Sequence, residues 1–435
     1  MSSALRRLAA SAQVPVYPIT GVGMRQRVQA LRLVEGITLV DTPRAANILL
    51  VAGAIGPAHH EALARVHDAL PHPRATLLWN VPTAGLTFGR TVRVEASASP
   101  VPAARALFRA LLDGSRPTEE PLLPAVDPVE WRGVGPYGQG GSGMTGGTPY
   151  GRPMAELGPD RDGLRLDVLP VELGPCFARL PTGLVLDLRV AGDVVVGASV
   201  TSRSLDVAPS TLGGIRRSPF LRALTTSVPI AELETARAQD HMRWLADALH
   251  AAGLRALGLR ALGLAGTVRP GDGRAVRDFG RMLDHTGLYH WSLGPARNVG
   301  AETLAGLSLG PVSRAAGLRE DVRLVDPGYH ALRFEPVIMD AGDLASRWRI
   351  RIEEAAAALD LAGQAGATTT ALLGQVESPR GRLSAGDAPT DRALALIPQS
   401  IEGLEWSMAL ATITSLDLDL EESAFAAAEP AAVAA

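Results

Sequence analysis

Asp343, Arg347 and Arg351 recur at four-residue intervals in the run FEPVIMDAGDLASRWRIRIEE, and Glu353 and Glu354 follow them. On an α-helix, side chains spaced by four stack on one face, so a carboxylate and two guanidinium groups would line one side. Upstream, GPVSRAAGLREDVR holds Gly310, Pro311, Arg314, Asp321 and Arg323 in a turn-rich run that should cap or enter a helix bundle. Two uses fit this pattern. One is a solvated charged face on an amphipathic helix, which spacing alone favours. The other is a set of charges that organises a core and docks onto a neighbouring protein.

Other residues with chemical potential are poorly spaced for it. His59, His60, His67 and His72 cluster on or near one helix, but His60 and His67 are two turns apart and no cysteine or paired carboxylate completes a tetrahedron. They read as solvated helix histidines. His285 and His290 are five apart, wrong for two ligands on one helical face. GQGGSG matches a dinucleotide fingerprint at Gly138, Gly140 and Gly143, yet PYGRP follows where a helix must open. The single cysteine, Cys176, excludes a disulfide framework within the chain, and an iron–sulfur cluster needs about four thiolates. It reads as a packed, inert thiol, and no cofactor is expected.

The elements that must position these groups follow from composition and periodicity. The 435 residues suffice for two or three domains with real cores, and the net charge of −3 gives no reason to expect a nucleic-acid partner. All 42 basic side chains are arginine. The opening MSSALRRLAASAQVPVYPI lacks the apolar core of a signal peptide, and no run of about 18 apolar residues predicts a membrane-spanning helix. The greasy segment 254–266 is interrupted by Arg255 and Arg260 and reads as a buried bundle helix. Membrane contact is therefore expected only through partners.

Residues 14–115 read as a small doubly wound α/β domain. VPVYPIT, ILLVA, ATLLWN and TVRVEA are its strands, AHHEALARVHDAL is a helix burying Ala62, Leu63, Val66 and Leu70, and a second helix ends at Gly114. Residues 116–160 are rich in proline and glycine, a linker or a docking loop in which the doubled PYG, Tyr150 and Arg152 stand out. Residues 161–420 form an α+β domain: a β-hairpin around Ala191-Gly192-Asp193, then mostly helices. Residues 421–435, ending AFAAAEPAAVAA, are expected to be a disordered tail.

The paired motifs GPVSRAAGLREDVR and GDLASRWRIRIEE resemble the forty-nine kilodalton subunit of respiratory complex I and the large subunits of group 4 [NiFe] hydrogenases. Further resemblances follow in GLVLDL, in the helix bearing Arg237, Ala238, Gln239, Leu245 and Asp247, and in Glu377, Pro379, Arg380 and Gly381. The first domain, through Pro43, Arg44, Ala46, Asn47, Val51 and Gly53, resembles the flavodoxin-like small subunit of the same complexes, here fused ahead of the large one. The family's ligands are replaced. The small-subunit cysteines are missing from ITGVGMRQR, from VPTAGLTF and from the region of Ala98. Phe177 and Pro181 occupy the places of the quinone-loop histidines, with Cys176 beside them. SLDLDLEES keeps Asp417 and Asp419 where the family has a nickel–iron cysteine pair, and His250 and Leu254 stand at helix positions that the family fills with arginine and histidine, so His250 is expected to be solvated or packed.

The resemblance implies a cofactor-free, non-catalytic subunit of an ion-translocating membrane assembly. It would sit peripherally on the cytoplasmic side of the inner membrane, in a hetero-oligomer with antiporter-like membrane subunits. Arg314, Asp321, Arg323, Asp343, Arg347, Arg351, Glu353, Arg380, Tyr150 and Arg152 are the structural or docking candidates. Two alternatives stay open: a quinone oxidoreductase subunit with a remodelled pocket and its cluster on a partner, and a soluble protein binding a small ligand between its domains.

Overall fold

Short apolar runs rich in valine, isoleucine and leucine build the first sheet. Its strands are β1 (Val14–Thr20), β2 (Ile37–Leu39), β3 (Ile48–Ala52), β4 (Ala75–Trp79) and β5 (Val92–Val94). The fold is that of a computed structural model, which describes residues 12–82, 88–125, 155–159, 163–213, 218–289, 293 and 299–428. All neighbouring strands are parallel, in the order β2-β1-β3-β4-β5, with Val16 opposite Ile48 and Ile48 opposite Ala75. That order is the flavodoxin-like one. Every residue of β3 and β4 is buried, as strands covered on both faces require. Helices α1 (Arg25–Ala30) and α3 (Val101–Asp113) cover one face and α2 (His60–Ala69) the other. Gly114 ends α3 in the left-handed conformation, φ 81°. Strand β2, only three residues long, was not among the four expected from periodicity.

An antiparallel meander of β6 (Glu156–Pro159), β7 (Arg165–Leu173), β8 (Leu184–Ala191) and β9 (Val194–Arg203) opens the second half. Leu184, Leu186 and Leu188 alternate inward along β8, and Gly192 turns the chain into β9 at φ 60°. Behind it stands a helix bundle of α4 (Ile230–Ala251), α5 (Arg255–Thr267), α6 (Gly273–Asp284) and α7 (Leu344–Gln364), with α8 (Trp406–Ser415) alongside. Leu245, Leu249, Phe279, Trp348 and Leu359 fill its core. A two-stranded hairpin, β10 (Gln375–Ser378) and β11 (Gly381–Ser384), lies against it.

The expected disordered tail needs correction. Residues 421–428 belong to α9 (Leu420–Ala428), which buries Phe425 and Ala426 and receives the Gly23 amide on Glu421. Its alanines, which look like low complexity, are a helix former's composition on a docked helix. Tyr150 and Arg152, with the glycine-rich run 136–153, lie outside the described residues. Among the described residues no helix is long and apolar enough to cross a membrane.

Candidate functional site

Asp343 starts α7 as its N-cap, with extended backbone and a side chain that accepts the Ser346 amide at 2.7 Å. Arg347, Arg351 and Glu354 then follow on one face, and all three are buried. The solvated face that spacing favours is therefore not formed, because α7 runs through the bundle against α4 and α6. Glu353 is exposed. Charges at this depth each cost several kcal/mol to remove from water and must be paired.

Arg314 holds the centre of the pairing. Its Nε and Nη2 donate to the two carboxylate oxygens of Glu354 at 2.6 and 3.1 Å, and its Nη1 meets Glu377 at 2.7 Å and Asp321 at 2.9 Å. Asp321 also accepts Arg323 Nη2 at 2.7 Å, and Arg323 Nη1 reaches Glu234 at 3.1 Å. Glu234 takes Arg237 Nε at 3.1 Å and the Tyr329 hydroxyl at 2.6 Å. The terminal nitrogens of Arg237 donate to the Glu377 and Ser378 carbonyls at 2.7 and 3.0 Å, which fixes β10 to α4. Burial opposes ionisation of Glu354, but Arg314 and His241 outweigh it and hold its pKa well below the ordinary carboxylate value. Gly310 lets this arrangement close. It adopts φ 56°, and a Cβ there would stand 2.8 Å from the Gly381 amide.

A second group of charges sits where the two halves meet. Arg351 lies over the Trp244 ring at 4.6 Å and faces Asp417 at 3.4 Å. Asp417 also faces Arg380 at 3.5 Å and Arg25, from the first half, at 3.6 Å. Arg380 continues to Asp419 at 3.1 Å and Glu422 at 3.5 Å. Arg347 instead donates to neutral groups, Ser415 Oγ at 3.0 Å and the Gly342 carbonyl at 3.3 Å. Burial pushes Arg347 and Arg351 down to about 10, so both stay cationic at neutral pH. Glu421 accepts the Gly23 amide at 3.0 and 3.1 Å, and burial beside Asp419 raises its pKa to about 7. Burial raises Glu422 to about 7 as well.

Between the halves lies a cavity of about 180 Å³, walled by β1, the 176–182 loop, Trp244, His250 and Asp417 to Glu421. It lies at the carboxyl end of β1, beside the switch point where doubly wound sheets receive ligands. Cys176 is buried, burial pushes its thiol up to about 12, and the Tyr17 hydroxyl donates to its carbonyl at 3.2 Å. Phe177 and Pro181 line the cavity. So does His250, whose Nε2 stands 3.4 Å from Asp41, a carboxylate that Arg179 also reaches at 3.1 Å. A cysteine-bound cluster needs about four thiolates. This wall offers Cys176 alone, so such a group does not fit the residues present.

The structure brings Arg314, Asp321 and Arg323 into one network and Arg351 and Arg380 into its neighbour. Glu234 and His241 complete them and were not singled out from the sequence. Their signal was recurrence with Arg237 at three and four residues, on the helix face that also carries Ile230, Ala238 and Leu245. The histidines of the first half also need correction. His59 and His67 are buried, and His67 is held between Asp68 at 2.8 Å and Glu119 at 3.2 Å.

Residues 299–404, which contain Arg314 and most of its partners, match the family model described as respiratory-chain NADH dehydrogenase, 49 Kd subunit. The chain resembles that subunit family. No curated protein matches the sequence. Among solved structures, a chain from the membrane-bound sulfane sulfur reductase, an archaeal respiratory membrane complex, aligns with 16% identity and a TM-score of 0.42, over 59% of this chain and 98% of that one. Within the 49 kDa-like segment lie Arg314, Asp321, Arg323, Asp343, Arg347, Arg351, Glu353 and Arg380, whereas the 176–182 loop and the Asp417–Glu422 carboxylates fall outside it.

Proposed function

We propose that this chain is a non-redox peripheral subunit of an ion-translocating membrane assembly of the complex I or group 4 hydrogenase kind. It would be a fusion of small-subunit-like and large-subunit-like parts, seated against antiporter-like membrane subunits on the cytoplasmic side. One observation carries the reading. The 49 kDa-like segment keeps a buried arginine–carboxylate core, while the stretches resembling the family's cluster, quinone and nickel sites lack their cysteines and histidines. A core that costs so much desolvation supports a role in holding shape. Because Arg314, Arg323 and Arg351 are buried, they serve the organising part of the role expected for them, and any partner would meet the exposed surface around them.

The test is affinity purification of the full chain from detergent-solubilised membranes, with metal analysis and electron paramagnetic resonance on the product. Co-purifying antiporter-like membrane subunits are expected. A free monomer in the soluble fraction, or stoichiometric iron or nickel, overturns the proposal.

The His250–Asp41 pair favours a second reading, a quinone-reducing subunit whose cluster resides on a partner chain. Phe177 and Pro181 can give no proton to a quinone oxygen, but an imidazole held by a carboxylate can. Protection of the 174–183 loop from hydrogen exchange by a quinone analogue would favour it, and loss of that protection in His250→Ala would assign the pair.

A further inference from the structure

The Arg314 network contains one carboxylate more than its guanidinium groups can neutralise. Glu234, Asp321, Glu354 and Glu377 face Arg237, Arg314 and Arg323, and every one of these side chains is buried. Among the described residues two further bases stand near: Arg351, which is paired with Asp417, and His241, buried 3.3 Å from Glu354, whose pKa burial and the flanking Arg351 and Arg237 push down, leaving it neutral. The excess is localised. Asp321 and Glu377 both approach the same nitrogen, Nη1 of Arg314, at 2.9 and 2.7 Å. Two carboxylates converging on one donor at buried positions cannot both ionise cheaply.

We propose that Asp321 and Glu377 share a single proton that stays bound at neutral pH, making this carboxyl pair a buried protonation site. Asp321 is the ionised member, because Arg323 clasps it through two nitrogens at 3.0 and 2.7 Å. Glu377 is the protonated one. Its other oxygen accepts the Val322 amide at 3.1 Å, while burial and the Asp321 charge both favour its neutral form against Arg314. Glu377 sits on β10, and the turn that follows carries Arg380 to Asp417, Asp419 and Glu422 at the junction of the halves. Releasing the proton would place a third full negative charge beside Arg314, after Glu354 and Asp321, and pull on the strand that positions Arg380. The pair thus links a protonation event in the bundle to the packing of the halves.

Infrared difference spectroscopy of the full chain at pH 7 tests this, using Glu377→Gln and Asp321→Asn. With either carboxyl gone, three carboxylates face three guanidinium groups and all of them ionise. Each wild type minus variant spectrum should therefore show a protonated-carboxyl C=O stretch that the variant has lost, and Glu421 and Glu422 cancel in the difference. Above about pH 7.5, past the titration of Glu421 and Glu422, raising the pH should increase the wild-type unfolding constant by up to tenfold per pH unit, a one-proton slope that either variant lacks. If one variant fails to fold, the other decides. Difference spectra without that band overturn the proposal, whatever the stability of the variants.

Discussion

Removing one charge from the Arg314 network leaves its partners buried without a counter-ion, and that penalty outweighs any single pair energy. Arg314→Ala strands Glu354 and Glu377 and leaves Asp321 to Arg323 alone, and a loss of about 3–5 kcal/mol in urea unfolding is expected. Glu353→Ala, on the exposed flank of the same helix, should stay within about 0.5 kcal/mol. Equal costs would mean that α7 presents the wrong face to the core. The pH dependence has a definite sign. Burial opposes ionisation of Glu354 and Asp321, but the neighbouring arginines hold both below their ordinary values of 4.5 and 3.8. Their contribution is thus complete above those values and is lost progressively as pH falls from them through the lower folded values, so the urea midpoint should begin to drop on acidification below about pH 4. The sequence displayed these charges but not their depth. Glu354 lies three positions beyond Arg351 and so shares its face, yet alanine, isoleucine and leucine fill other faces of α7. The outward stripe, Arg349, Glu353, Asp360 and Gln364, is as polar as the buried one, and spacing alone cannot tell a buried charged stripe from a solvated one.

At the scale of elements, the expected tail is where composition misled most. Alanine-rich ends read as disorder, but α9 is held by Phe425 in the core and by the Gly23 amide on Glu421. Phe425→Ala should cost about 3 kcal/mol and expose the Gly386 amide, bonded to the Ala426 carbonyl, to rapid hydrogen exchange. Unchanged exchange there would mean that α9 is not docked. Glu421 and Glu422 respond to pH in the opposite sense to Glu354, because burial raises both from 4.5 to about 7. Their protonated forms favour the folded state, so that contribution is present below about pH 4.5 and disappears as pH rises through 7. In Glu421→Gln/Glu422→Gln, the decline of the unfolding midpoint between about pH 5 and 7.5 should flatten while the acid limb stays, and an unaltered decline would place the titration elsewhere. The longer elements were legible because their patterns are strong: ILLVA and ATLLW are continuous apolar strands, and Gly114 stops α3. Strand β2 was not, since ITL is too short to establish a period, whereas the equally short β5 sits within the alternating run TVRVEA.

The junction of the halves belongs to the whole molecule, and nothing local in the chain announces it. Arg25 meets Asp247, Asp417 and Asp419, residues more than two hundred positions away, and the Thr182 hydroxyl donates to the Thr20 carbonyl at 2.7 Å. Neither the cavity nor the His250–Asp41 pair could be read before these segments were brought together. The Arg25 side chain is 39% exposed, so its individual ion pairs are weak and screened by salt. Charge reversal is a stronger perturbation than deletion. Arg25→Glu sets a new carboxylate against three existing ones and leaves Asp417 to Arg351 and Arg380 alone. We expect faster hydrogen exchange at Gly23 and along the 174–183 loop and a larger radius of gyration in solution scattering, with the urea unfolding of the bundle itself little changed. High salt should leave the wild type closed, because the backbone and hydroxyl hydrogen bonds across the junction do not depend on ionic strength. If Arg25→Glu scatters and exchanges like the wild type, apolar contact and those hydrogen bonds hold the halves together, and the junction charges serve the core rather than the closure.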